Sequence, residues 1–222
     1  MNAAVAKLEA QVDALEELTL RAFNRYLFLA PMLTSGELAS RMNDERNGNL
    51  FVQLRGWLYW GLVQELAKIC LDRDEKSPCI SSIRSNLADT PGLLNFLEQK
   101  YTNNIHGIGS VEELRCEFQR EYGKFDTKAQ QLLESNVVGG YKTIRDKLIS
   151  HNELRKQGER YQFHDVAEEN LKYGDERQVL ETLRELVILL LLLVKNADTN
   201  WDSYLNTTEN LVRRFWRIEA TF

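Results

Sequence analysis

The sequence predicts an all-α, single-domain helical bundle of about five to seven helices. Two observations carry that prediction: apolar residues recur at steps of three and four along most of the chain, and no run alternates apolar and polar residues long enough for a sheet. Composition is the third. At 222 residues, 43% hydrophobic and 27% charged with three prolines, the chain has the make-up of a globular protein large enough to bury its own core.

The first helix is read from Leu8, Val12, Leu15, Thr19, Ala22, Tyr26 and Leu29, which form one stripe, with Pro31 as its expected end. A connection rich in Asn, Gly and Asp follows. The segment LFVQLRGWLYWGLVQELAKICLD then sets Leu54, Leu58, Leu62, Leu66 and Ile69 on one face, with Trp57 and Trp60 beside them as core. SPCISSIRSNL and DTPGLLNFLEQKY read as brief helices, the second with Pro91 in its first turn. Ser110 and Glu113 make a capping box that starts a helix, and a further helical run is expected from about Asp126 to Asn152, kinked at Gly139 and Gly140. LRKQGERYQFHD reads as a polar connector. Asp175 and Gln178 open the last strong helix, to about Lys195. Residues 196–222 form a C-terminal extension of the single domain 1–222, in which RRFWR, with basic and aromatic residues interleaved, reads either as an RNA contact or as a solvated helix anchored by Trp216.

The net charge of −5 and pI near 5.4 exclude a broad basic surface of the kind that binds duplex DNA unspecifically. Any nucleic-acid site is local. Cys70, Cys79 and Cys116 show no C-x-x-C spacing and are too scattered for a disulfide framework, so a reducing, cytoplasmic setting is expected. The opening MNAAVAKLEAQVDALEE carries acids where a leader needs a basic start and an apolar run. The most apolar run, LVILLLLLV at 186–194, has nine residues against the roughly 18 needed to span a bilayer. No membrane association is expected.

Most chemistry-bearing residues have an ordinary reading. His106 sits in the loop NNIHGIGS, which lacks a phosphate-binding fingerprint. His164, with Asp165 and Glu168 after it, matches no metal spacing and reads as a helix-start residue, so no metal or cofactor is expected. Trp57, Tyr59 and Trp60, at helical spacing among leucines, read as core rather than as a base-stacking surface.

Arg145 and His151 differ through their context. They stand six positions apart, which on a straight helix is about 9 Å and about 120°, so they flank the apolar stripe Val137, Tyr141, Ile144 and Leu148. Residues 141–160 hold six bases (Lys142, Arg145, Lys147, Arg155, Lys156 and Arg160) against three acids (Asp146, Glu153 and Glu159). This local reversal of sign suits an anionic ligand.

The segment IRDKLISHNE resembles the signature of the HEPN superfamily (higher eukaryotes and prokaryotes nucleotide-binding), in which an Arg and a polar residue precede a His on a late helix; Arg145, Asp146 and His151 match it. The order of the long first helix, LRGWLYWGLVQELAKICLD, SPCISSIRSNL and GDERQVLETLRELV is similar to the abortive-infection, AbiU-type branch, over residues 10–195. Ser150 stands where that branch leads one to expect Ala. Gly139-Gly140 and RRFWR have no counterpart in it. The resemblance implies metal-independent RNA cleavage by a homodimer in phage defence or as a toxin, held by a possible antitoxin or regulatory partner. Arg145 and His151 would then be catalytic, Asp146 would orient them, and Asn152, Lys142, Lys147 and Arg155 would bind the RNA. A 2′,3′-cyclic phosphate and a 5′-OH end are the implied products. The other reading is a non-catalytic helical dimer that binds nucleotide, RNA or protein.

Overall fold

The computed structural model of the protein describes residues 1–43, 47–72, 77–104, 110–150, 154–157, 160–163 and 165–218. Among them the fold is all-α with nine α-helices and one small hairpin. The first, α1 (Asn2–Thr34), buries its stripe almost completely: Leu8, Val12, Leu15, Thr19, Ala22 and Leu29 are each at most 2% exposed. Thr19 is tolerated there because its hydroxyl donates to Leu15 O at 2.8 Å. Pro31 does not end this helix. The chain continues to Thr34, and the Ser35 amide closes the last turn on Pro31 O. A short α2 (Gly36–Met42), capped by the Ser35 hydroxyl, occupies what the sequence suggested was a polar connection.

Next comes α3 (Asn47–Leu71), which packs along α1. Leu62, Leu66 and Ile69 are buried as expected, and Leu54 and Leu58 are half-buried. Trp57 and Trp60 are not core: they are 66% and 36% exposed. At 100° per residue they lie about 140° and 200° from Leu62, on the far side of the helix. The pair α4 (Ile80–Asp89) and α5 (Leu93–Asn104) follows, with Pro91 in the turn before α5 rather than in its first turn.

The capping box at Ser110 starts α6 (Val111–Leu133): its hydroxyl accepts from the Glu113 amide while Glu113 Oε2 accepts from the Ser110 amide. This helix runs straight through Asp126. The break falls instead at Ser135, which caps α7 (Asn136–Ile144), and both glycines lie within that helix. Gly139 is exposed and a Cβ there would meet nothing, whereas a Cβ on Gly140 would stand 3.1 Å from Leu171 Cδ2 and 3.4 Å from Glu169 Cβ. Gly139→Ala is therefore expected to raise stability by about 0.5–1 kcal/mol and Gly140→Ala to lower it. Urea midpoints test this pair, and equal effects of one sign would refute it.

The stretch read as a polar connector holds extended backbone at residues 154–157 and 160–163. Its backbone forms the antiparallel hairpin β1 (Leu154–Gln157) and β2 (Arg160–Phe163), with Leu154 opposite Phe163 and Gln157 opposite Arg160. Two strands of four residues are too short for their alternation to stand out in a sequence. Then α8 (Asp175–Leu190) leads into a π turn, Leu191–Lys195, closed by Asn196 in the left-handed region. Finally α9 (Trp201–Trp216) docks on α1 and carries the C-terminal extension into the body. Trp216 is the anchor expected, 7% exposed, with Nε1 donating to Phe28 O at 3.2 Å. No helix among the described residues is long and apolar enough to cross a membrane.

Candidate functional site

The site is built by α7 and the turn that follows it. Ser135 separates α6 from α7 with one hydroxyl, which donates to Leu132 O at 2.8 Å and accepts from the Val138 amide at 3.3 Å. Val138, Tyr141 and Ile144 are fully buried, and α7 packs on α3 through this face; Val137 and Leu148 are half-buried at its margin. Beyond Ile144 the helix widens into a π turn, Arg145–Ser150. Single π turns of this kind occur often at functional sites. The straight-helix relation between positions 145 and 151 therefore does not apply, because the turn's wider winding changes both rise and rotation.

Arg145 begins that turn. Its side chain is only 12% exposed, and its Nη2 and Nε both reach Asp146 Oδ1, at 2.7 and 2.8 Å. Asp146 itself is 42% exposed, so the pair places a sheltered cation against a carboxylate that water reaches. Lys142 and Lys147 are half-buried on the same segment, and Arg155 lies in β1 opposite Gln162. The structure thus brings Arg145, Asp146, Lys142 and Lys147 onto one stretch of chain. His151 and Asn152 lie outside the described residues, as do His106 and His164.

A buried polar cluster sits behind α7, and nothing in the sequence analysis pointed to it. Glu176, in the first turn of α8, is 1% exposed. Gly174, at φ 106°, where a side chain would be strained, donates its amide to Glu176 Oε2 at 3.0 Å. The Tyr59 hydroxyl hydrogen-bonds the same carboxylate. Glu176 Oε1 and the Tyr141 hydroxyl are buried with no hydrogen-bond partner among the described residues. Burial first, and the Glu176 charge second, push both phenols well above the ordinary tyrosine range. An acid in first-turn position looks like a dipole-compensating surface residue, so its burial had no signal in the sequence.

These phenols give the protein an alkaline limit. A group whose folded pKa exceeds its unfolded value of about 10 contributes stability that is complete below that pH and is lost as pH rises toward the folded value. Tyr141→Phe removes one such group and an unpartnered hydroxyl. It is expected to be neutral or stabilising at pH 7 and to flatten the loss above about pH 10. Urea midpoints at neutral and alkaline pH check this; parallel pH curves for the two proteins would overturn it.

A separate cleft of about 400 Å³ lies among α1, α8 and α9. Two of its arginines are paired, Arg184 to Asp202 at 2.6 Å and Arg213 to Glu209 at 2.9 Å, and α7 does not line it. Among the comparisons with known proteins, the family model HEPN_AbiU2, described as AbiU2, matches residues 6–215. The match runs through most of α9, beyond the residues 10–195 over which the resemblance was drawn. No curated protein and no solved structure matches the chain.

Proposed function

The chain belongs to the HEPN_AbiU2 family, and from that premise we propose that it is a metal-independent endoribonuclease acting in abortive infection, in phage defence or as a toxin. The observation that carries the reading is Arg145: a guanidinium 12% exposed, at the mouth of a π turn, in a segment whose other cations are Lys142 and Lys147.

Transfer of phosphorus from one ribose oxygen to the next needs a base, an acid and a cation. An imidazole of ordinary pKa, about 6.5, serves as either proton carrier near neutral pH. One His151 takes the proton from the ribose 2′-OH as that oxygen attacks the adjacent phosphorus. Arg145 places its fork of donors on the equatorial oxygens, where charge accumulates. A second His151, from the other protomer of a homodimer, gives its proton to the departing 5′ oxygen. The products are a 2′,3′-cyclic phosphate and a 5′-OH end. Asp146 holds Arg145 until phosphate competes for it, Asn152 and Arg155 join Lys142 and Lys147 in holding the strand, and an antitoxin or regulatory protein restrains the enzyme.

The Arg145–Asp146 pair also supports a second reading, in which the guanidinium is already neutralised and the protein is a non-catalytic dimer that binds nucleotide, RNA or protein. Cleavage of total cellular RNA in EDTA separates the two. Wild-type protein should produce fragments with cyclic-phosphate ends while His151→Ala should not; cleavage that persists in the variant would reject the assignment.

A further inference from the structure

The outer face of α3 carries aromatic rings that the cleavage chemistry does not use. Trp57 and Trp60 lie one helical turn apart and are 66% and 36% exposed. Tyr59 meets the Trp60 ring at 5.4 Å and 70°, and on its other side meets Tyr173 at 6.5 Å and 67°. Tyr173 is 78% exposed. The middle ring is held from inside, because its hydroxyl bonds Glu176, which is 1% exposed. Two open rings therefore flank a fixed one, and Trp57 stands one turn from Trp60. Such an arrangement costs little further side-chain ordering when a planar ligand arrives.

Charge selects the ligand. The chain has 33 acids against 28 bases, yet no exposed position of α3 is acidic. Its one described carboxylate, Glu65, is turned toward Arg25 at 3.2 Å. The face offers Gln53, Trp57, Trp60 and Lys68 instead. The packed side of the same helix meets α7 and the Arg145–Ser150 turn, where Lys142 and Lys147 stand. Open indole faces bordered by an amide and a cation suit unpaired nucleobases on a phosphate backbone, because every base has a π-face to stack.

We infer that Trp57, Trp60 and Tyr173 form a stacking platform for the unpaired bases of single-stranded RNA, which rests on the nuclease reading for the identity of its substrate. The platform selects single strands over duplexes, whose bases are already stacked, and it tolerates sequence.

The test is binding, measured in the His151→Ala protein so that RNA stays intact. A fluorescein-labelled oligo(U) of about 12 nucleotides and an RNA duplex of the same length are titrated by anisotropy, with sedimentation run alongside. Trp57→Ala/Trp60→Ala is expected to weaken oligo(U) binding by about tenfold or more and to leave the duplex unchanged. Trp57→Phe/Trp60→Phe should retain most of the binding. An unchanged affinity, equal loss for the duplex, or no oligo(U) binding by the parent would overturn the inference. So would a dimer that falls to monomers with RNA affinity intact, which would make this face a contact with a second copy. Ring-dependent binding without cleavage in EDTA would sink the nuclease reading alone; cleavage with ring-independent binding would sink the platform alone.

Discussion

Arg145→Ala is expected to lower the rate of RNA cleavage by about 10²- to 10³-fold, the usual cost of removing one preorganised donor from a developing oxyanion. The loss should appear in kcat, because the charge Arg145 meets is fully developed only in the transition state. Arg145→Lys should recover little of it. An ammonium is a point charge and cannot reproduce the two-pronged geometry of a guanidinium on phosphate oxygens. Stability should be nearly untouched, since the carboxylate left behind belongs to Asp146, which is 42% exposed and hydrated by solvent. Single-turnover cleavage with matched circular-dichroism melts decides the matter. Wild-type rates in Arg145→Ala, or a lost rate that tracks lost folding, would remove the residue from catalysis.

The largest effect on stability is expected at Trp201. It is 1% exposed at the first turn of α9 and meets the edge of Phe23 at 5.8 Å and 65°. Trp201→Ala should cost about 3–5 kcal/mol through the cavity it leaves. That corresponds to a fall in Tm of roughly 6–20 °C for a chain of this size. Trp201→Phe should cost much less, because it keeps the edge contact with Phe23 and deletes an indole N–H that has no partner among the described residues. Urea unfolding at constant m-value measures both. A loss below about 1 kcal/mol for the alanine variant would mean that α9 is not held by this ring.

Local patterns in the sequence matched the described structure at particular places. Ser110 and Glu113 cap α6 as their pattern requires, and Arg145, Asp146, Lys142 and Lys147 share one described segment, while His151 and Asn152 lie outside the described residues. The site's surroundings were not legible. Glu176 belongs to a first turn, where acids are usually solvated, and only its contact with Tyr59 across the fold shows it to be interior. The π turn at Arg145–Ser150 was equally hidden, because an α-helical period continues smoothly through its residues.

Local rules settled the all-α class, the buried stripe of α1, the caps and the family, since helix period, capping and motif order depend on residues a few positions apart. Other features depended on which surfaces meet across the fold. The outward turn of Trp57 and Trp60, the burial of Glu176 and the docking of α9 through Trp201 are of that kind. A period states which side chains share a face. Only packing against distant helices decides whether that face is inside or out.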